Sequence, residues 1–529
     1  MKTPLKQPSD QNGDAANAPL RARQNVHTLE ELGAMADAAR QEGKSVVLAH
    51  GVFDLVHMGH VRHLEGARRE GDVLFVTVTA DAYVNKGPGR PIFSHEMRGE
   101  MLAALNCVDA VGISHSDSSE MALDAIRPDV YVKGSDYENP EDDITGKISK
   151  EKAAVENHGG RMVITKDITF SSSNLINRYL DVYDPPLQDY LDRMHDDPDA
   201  TGRLTTLVES VKDMKVLIIG DAIIDEYEYV EPMGKAAKEN IIATRFKDRE
   251  LFAGGVFATA NHAASFCAEV EIITCLGADD EYEDFIRNSL KPNVKLTCLY
   301  RDGAPTTRKL RFINPSYTRK LFEVYFFDET PLPTDLEASL NELVAARIGG
   351  YDLIIANDFG HGLIERSTID LISGADACLA VNTQTNSANL GYNLITKYPK
   401  ADFICIDAPE AQLAARDKFS SIEELCAEAL PKLIECDRFI VTHGQQGCVA
   451  FEKGAASRRI PAFTKTVVDT VGAGDAFLAV TAPLAATGGS INDIAFIGNA
   501  VGAIKVGTIG HRGSIDKVPL IRYITTLLK

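Results

Sequence analysis

Two short strings in this chain of 529 residues have the residue types and spacing of phosphoryl chemistry. The first is His57-Met58-Gly59-His60, placed where an apolar run gives way to an amphipathic one. A glycine between two histidines lets backbone approach a phosphate closely, and imidazoles at i and i+3 face the same side of a helix's first turn. The partial positive charge of a helix N-terminus adds to them. Together they suit an α-phosphoryl group gaining charge during displacement. A metal pair and a purely structural pair are the alternatives, but two histidines without a third ligand nearby make a poor zinc site. His57 and His60 are therefore candidate catalytic residues, with Gly51, Phe53 and Gly59 as nucleotide contacts. His50 and His63 lie nearby without the glycine frame.

The second string is VVDTVGAGDAFLAV, which holds Asp469, Gly472, Ala473, Gly474 and Asp475. Its glycines permit a tight turn whose successive N–H groups point into one concavity, an anion nest at a helix start. Asp475, one residue further, is placed to accept the proton of a sugar hydroxyl as that oxygen attacks a γ-phosphate. The alternative for Asp475 is a helix N-cap carboxylate.

Two α/β domains must hold these strings. From Ser45 the apolar runs SVVLAH, DVLFVTV, DAVGIS, PDVYVKG and RMVIT alternate with amphipathic stretches, which predicts a parallel, Rossmann-like sheet. A second alternation starts at Lys215 with KVLIIGDAIID and continues through EIITCLG, YDLIIAND, ACLAVNT, DFICIDA and RFIVTHG, predicting a second doubly wound sheet. Lys309 to Asp328 alternates β-formers without helical period, the pattern of a small sheet beside or over the active site. The expected organisation is a flexible tail over 1–25, a first α/β domain over 26–183, a Pro- and Asp-rich connection with room for a short helix over 184–212, and a second α/β domain over 213–529.

Over roughly residues 45–183 the sequence resembles the HxGH cytidylyltransferase-like nucleotidyltransferases. KGPGRP places Lys86 where that family has a phosphate-binding lysine, HEMR places Arg98 at the position of a family arginine, and PDVYVKGSDY places Lys133 at a nucleotide-contacting strand end. FSSSNLI stands at the ISTT-type helix start, where Ser171, Ser172 and Ser173 offer hydroxyls and N–H groups to the β- and γ-phosphates. A plain N-cap is the alternative for the serines, and a solvated strand end for Lys133. The resemblance implies in-line attack of a substrate phosphate on the nucleotide α-phosphorus, with Mg2+ assisting, pyrophosphate leaving and no covalent intermediate.

Over roughly residues 213–529 the DTxGAGD string resembles the ribokinase-like (PfkB) sugar kinases. That resemblance implies a sugar-hydroxyl role for Asp221 and Asp225 at the end of the first strand and for Asp469. It also implies a di-glycine at Gly254 and Gly255, nucleotide contact by Gly444 of VTHGQQG, and a phosphate- and metal-side role for Glu410. Structural roles remain open for Asp221 and Asp225. Two departures stand out: Ala258 occupies the place of the family's sugar-contacting Asn, and Asp407 that of the Asn in NxxE. Both motif sets in one chain resemble the bifunctional heptose enzymes of lipopolysaccharide precursor synthesis, with the two domains in reversed order. Such enzymes phosphorylate O1 of heptose 7-phosphate with ATP and make ADP-heptose from heptose 1-phosphate. Reversed order and Ala258 leave the sugar open, and CTP in place of ATP at the transferase site. They also leave open a kinase-like half that senses ligand without turnover.

Composition sets the limits. A formal charge of −21 argues against non-specific binding to nucleic acid or anionic membrane, so phosphate pockets must be built locally. No apolar run approaches the roughly 18 residues that span a bilayer, and the polar start of the chain lacks a signal-peptide core. The nine cysteines are scattered singly, without metal-ligand spacing, as befits reduced thiols. The expectation is a cytoplasmic enzyme of small-molecule substrates, with a homo-oligomer left open, whose only metal is the Mg2+ carried by its nucleotide.

Overall fold

A strand buried on both faces is apolar at every position rather than every second one, and Val46, Val47, Leu48 and Ala49 are all fully buried. Val47 and Ala49 join one core cluster with Leu64, Val76 and Leu102, whereas Val46 and Leu48 join another with Leu32, Phe75 and Leu123. These are the two faces of one sheet. The computed structural model describes residues 21–84, 90–116, 118–134, 147–165, 183–279, 282–316, 319–328 and 330–529. They fall into two compact units, the second running from Tyr183 to Leu528.

Among the described residues, the first unit contains β1 (Val26–His27), β2 (Val46–Gly51), β3 (Val73–Thr79), β4 (Ala110–Ser114), β5 (Val130–Lys133) and β6 (Arg161–Ile164). They form an all-parallel sheet in the order β1-β4-β3-β2-β5-β6. The chain builds outward from β2 through β3 to β4, then returns to lay β5 on the other side of β2. Strand order therefore reverses between β2 and β5. The crevice outside their carboxyl ends is where an open α/β sheet takes ligands. The segment carrying His57 and His60 leaves β2 at that point and enters the helix Met58–Arg68.

The second unit contains β7 (Lys215–Gly220), β8 (Ala222–Lys235), β9 (Ile242–Gly255), β10 (Glu269–Gly277), β11 (Val294–Arg301), β12 (Thr307–Asn314) and β13 (Arg319–Phe326). It continues with β14 (Leu353–Asp358), β15 (Cys378–Thr383), β16 (Phe403–Asp407), β17 (Arg438–Thr442), β18 (Cys448–Glu452) and β19 (Arg458–Ile460). Nine of these strands make the main sheet, in the order β11-β10-β7-β14-β15-β16-β17-β18-β19. It is parallel from β11 to β17 and antiparallel at β18 and β19. Its order reverses between β7 and β14, where Asp221 follows one strand and Asp358 ends the other.

The remaining four strands form a second sheet, β13-β12-β8-β9. Its β12 and β13 arise from the stretch expected to be a small sheet; β8 and β9 are a long antiparallel hairpin that the sequence reading did not anticipate. Asp225 accordingly lies inside β8, not at the end of the first strand. The chain crosses from one sheet to the other at Asp221.

The segment 184–212 is more helical than the expected connection. It forms the helices Pro185–His195 and Ala200–Glu209, and Leu187, Leu191, Leu204, Val208 and Val211 belong to the main core of the second unit. The prolines at 185 and 186 start a helix, where a missing N–H costs nothing, instead of marking a loop. Apolar residues four apart, Leu187 with Leu191 and Leu204 with Val208, give each helix a buried face. Arg203 ties the second helix to Asp493 at 2.9 Å. No described helix is long and apolar enough to cross a membrane.

A linker residue tolerates truncation, whereas a core leucine does not. Leu204→Ala should therefore destabilise the second unit by about 2–5 kcal/mol, read as a lower urea midpoint for that unit's transition. An unchanged midpoint would return the segment to a connecting role.

Candidate active sites

In the first unit, His57 is the N-cap of the helix Met58–Arg68, and its Nδ1 accepts from the Gly59 N–H at 3.0 Å. His60 Nδ1 accepts in turn from the His57 N–H at 3.4 Å. With both Nδ1 atoms accepting, each neutral ring carries its proton on Nε2 and can donate from there. The rings stack with centroids 4.1 Å apart and planes 26° from parallel. Burial pushes the His57 imidazole below its ordinary range, toward that neutral form. Phe53, at a left-handed φ of 53°, stands edge-on to His60 with centroids 5.4 Å apart. Asp54 fixes the same loop by accepting from the Ile92 N–H at 2.9 Å and the Phe93 N–H at 3.3 Å.

Arg98 and Lys133 are both buried and bonded to partners within the unit. Arg98 is fully buried, and it donates to the carbonyls of Phe93 (2.9 Å), Val52 (2.5 Å) and Thr79 (2.9 Å) and to Asp81 (2.5 Å). It ties the ends of β2 and β3 to the loop before the helix His95–Ala103. Lys133 is buried 2.8 Å from Glu151, which also accepts from Ser119 at 2.7 Å. His50 of β2 bonds Thr77 of β3 at 2.9 Å, and His63 of the helix Met58–Arg68 bonds Thr165 after β6 at 2.7 Å. Lys86, Ser171, Ser172 and Ser173 lie outside the described residues. Asp81, His95 and Glu96 lie close enough to share a cation, though Asp81 already takes the Arg98 guanidinium.

In the second unit, Gly472 has φ 74° and caps the helix Ala473–Ala486. A Cβ there would stand 2.4 Å from His511 Cε1, so only glycine fits. Asp475 lies in the first turn, buried, and among the described residues its Oδ1 has no hydrogen-bond partner. Burial pushes its carboxyl up to about 6. The other carboxylates are occupied. Asp469 accepts from Tyr227 (2.7 Å), Lys320 (2.8 Å) and the N–H groups of Gly510 (2.9 Å) and Val471 (3.2 Å). Asp225 pairs with Arg311 and, at 3.2 Å, with His511 Nε2. Burial works against its ionisation, but these two groups outweigh it and hold the carboxyl far below its ordinary range. Asp221 accepts from the Phe359 N–H at 2.8 Å and is pushed up to about 6, by burial first and by neighbouring Asp358 second.

Gly254, in the last residues of β9, lies beside Asp225; a Cβ on it would lie 2.1 Å from Asp225 Oδ2. Gly255 caps the helix Val256–Ala263, on which Ala258 is buried. Gly444 follows β17 in the turn Gly444–Gln446. Glu410 and Asp407 form a reciprocal cap on the helix Ala408–Ala415, and Glu410 accepts further from the Thr385 N–H at 2.8 Å. Burial first, then Asp407, push the Glu410 carboxyl up.

Three basic residues near Asp475 escaped the sequence reading. Lys309 is buried in β12 with its ammonium 5.5 Å from the Tyr325 ring and 5.6 Å from that of Phe359. Among the described residues it has neither a hydrogen bond nor an ion pair. Burial pushes its pKa down, against the pull of Asp225, Asp475 and Asp221. Lys505 is buried and donates to the carbonyls of Val471 (3.3 Å) and Gly510. His511 is the third. The available signal was the strand period: Lys309 and Arg311, two apart in β12, share the face turned to the carboxylates.

The family model described as pfkB family carbohydrate kinase matches residues 213–518, and that described as Cytidylyltransferase-like matches residues 48–178. Over 162 residues the chain is 40% identical to the "Bifunctional protein HldE" of Syntrophotalea carbinolica, covering 30% of this chain and 32% of that one. The protein of the same name from Trichlorobacter lovleyi is 38% identical over 161 residues, covering 30% and 31%. The chain thus spans about a third of the length of these curated relatives. Among solved structures, the ribokinase of Giardia lamblia is 16% identical with a TM-score of 0.48, covering 58% of this chain and 98% of that one. Phosphofructokinase-2 of Escherichia coli is 13% identical with a TM-score of 0.48, covering 60% and 100%. Matched over more than half of its length, the chain belongs to the pfkB family of carbohydrate kinases and carries a cytidylyltransferase-like unit ahead of the kinase.

Proposed function

We propose that the chain makes a nucleotide-activated sugar in two reactions. The second unit phosphorylates a sugar phosphate with ATP, heptose 7-phosphate at O1, and the first unit joins a sugar 1-phosphate to a nucleotide, giving an ADP-heptose-type product. The pairing of the two matched families supports this, as does the likeness of 162 residues of the chain to a relative named bifunctional. The observation that carries the kinase reaction is Asp475, whose Oδ1 is buried beside the Gly472–Gly474 nest without a partner among the described residues.

In the kinase, the acceptor hydroxyl gives its proton to Asp475 as its oxygen bonds to the γ-phosphorus. The bond from that phosphorus to the β,γ-bridging oxygen breaks, and its electron pair leaves with ADP. The N–H groups at the start of the helix Ala473–Ala486 and the Lys309 ammonium face the charge on the moving phosphoryl group. Asp407 and Glu410, the carboxylates that cap the helix Ala408–Ala415, would be the residues to hold Mg2+ carried by the nucleotide, and the ion would neutralise phosphate charge. In the transferase, an oxygen of the sugar phosphate attacks the nucleotide α-phosphorus and pyrophosphate leaves. The Nε2–H groups of His57 and His60 donate to the α-phosphoryl oxygens as they gain charge.

Incubation with ATP or CTP and a panel of sugars and sugar phosphates, with products identified by mass, tests both reactions. A sugar 1-phosphate and a nucleoside diphosphate sugar are the expected products. Binding of nucleotide and sugar without any transfer from ATP would make the kinase unit a sensor. His57→Ala and His60→Ala should each lower the transferase kcat by about 10²-fold or more, the scale of one lost transition-state donor. Full transferase activity in the double variant would remove the site from this loop.

Asp475 must be ionised to take a proton, and burial has moved its carboxyl up to about 6. Kinase kcat/KM should therefore be level above that pH and fall about tenfold per unit below it. Asp475→Asn should cut phosphoryl transfer by about 10²-fold or more while ATP still binds, and its residual activity should lack the acidic limb. Should the limb persist in that variant, another carboxylate is the base.

A further inference from the structure

His511 takes no part in either reaction as described above. Its side chain is 6% exposed, and its Nε2 stands 3.2 Å from Asp225 Oδ2. Asp225 is ionised and accepts, which places a hydrogen on Nε2. In the neutral ring Nδ1 then holds a lone pair and acts as an acceptor. That Nδ1 is buried and has no partner among the described residues. A buried acceptor without a donor is uncommon and calls for a reason.

The ring lies between two glycines that make room for it. A Cβ on Gly472 would be 2.8 Å from Nδ1, and one on Gly254 would be 3.4 Å from Nε2. Gly472 caps the helix that carries Asp475, and Gly254 adjoins Asp225. The imidazole therefore reaches from Asp225 to the anion nest. It also walls a cavity of about 210 Å3, together with Phe252, Ala258, Asn261 and His262. Several other polar groups of that wall are taken. His262 Nδ1 accepts from the Ile515 N–H at 2.9 Å, and Asn261 bonds the Ser289 carbonyl at 2.8 Å and the Lys291 N–H at 2.9 Å. Arg512 sits on Glu250 at 2.8 Å, and Ala258 offers only a methyl group. Among the buried polar side-chain atoms of the described cavity wall, His511 Nδ1 alone is unused.

We propose that His511 is a specificity-determining residue of the kinase site, whose Nδ1 accepts a hydrogen bond from the acceptor hydroxyl next to the one that Asp475 deprotonates. The assignment rests on the second unit being a working sugar kinase. It names the acceptor class more narrowly, as a sugar with a free hydroxyl adjacent to the attacking one; for attack from O1, that neighbour is O2. Asp225, through Nε2, is then a positioning residue that fixes the tautomer.

A purely structural role, in which His511 only balances Asp225, predicts something different, and glutamine separates the two. A glutamine amide reaches the place of Nε2, and an asparagine amide the place of Nδ1. With heptose 7-phosphate and ATP, His511→Gln should keep the Asp225 contact yet raise the acceptor KM about tenfold, the worth of one hydrogen bond. The ATP KM should not move, and the loss should fall on KM rather than kcat. His511→Asn should recover part of it. On 2-deoxyheptose 7-phosphate, wild type should lose the same factor and His511→Gln should lose nothing more, because the two changes remove one interaction. Turnover by wild type with a wild-type KM in His511→Gln overturns the assignment, and so do losses that multiply. Should the variants not fold, wild type indifferent to the 2-hydroxyl overturns it as well. Absence of phosphorylated product from every sugar and sugar phosphate with wild type defeats the kinase reading itself, and this assignment with it.

Discussion

The second unit depends on a buried negative charge at Asp225. Taking a carboxylate out of water costs several kcal/mol even after relaxation, and removing its partner leaves that cost uncompensated. Asp225 therefore needs both Arg311 from β12 and His511 from the loop after the helix Ile491–Lys505. Arg311 holds β12 beside β8, which ties the smaller sheet together at its inner face. His511 in turn excludes any side chain at Gly472, so the turn above Asp475 stays a glycine turn. Asp469 repeats the arrangement a few residues away, joining β8 and β13 to the same loop through Tyr227 and Lys320. The geometry of the nest follows from charges that are satisfied around it.

The first unit uses the opposite sign for the same purpose. Arg98 is a buried cation whose hydrogens go to carbonyls at Val52, Thr79 and Phe93 and to Asp81. Strand ends in a parallel sheet leave carbonyls without ladder partners, and a planar guanidinium with five donors can collect several of them at once. Lysine could not span them. The loop so fixed carries Phe53 and Asp54 and delivers His57 to the cap position, where its backbone and ring are both constrained.

The two open sheets and both glycine-framed loops were legible in the sequence because their signals are local. Runs such as Val46–Ala49 and Leu217–Ile219 are buried on two faces and apolar throughout, and the loops follow directly after them. What was not legible required distance. Glu231 meets Arg245 only after a hairpin closes, so β8 and β9 are stabilised by pairs that the linear order separates. The helices of 184–212 looked like a linker because proline and aspartate dominate them, although Leu187, Leu191, Leu204 and Val208 already show a helical period. Arg98 was assigned to phosphate by its motif, whereas its burial depends on carbonyls from three other segments. His511 lies in a glycine-flanked loop with no periodic signal, and only the fold brings it to Asp225.

The same contrast separates the roles of the carboxylates gathered at the β7–β14 switch. A carboxylate saturated by donors is a poor base, because each donor stabilises its ionised form; one that is buried and unsatisfied holds a proton more readily. Asp225 and Asp469 are of the first kind, held below their ordinary range despite burial. Asp475 is of the second, raised by burial with an oxygen to spare. Asp221 is also raised, but the oxygen it turns inward already accepts from the backbone of Phe359 and His361. Environments that push like groups apart are how a single cleft obtains both fixed anchors and a proton acceptor. On that criterion Asp475 has the environment of a proton acceptor, and the paired aspartates have that of a frame around it.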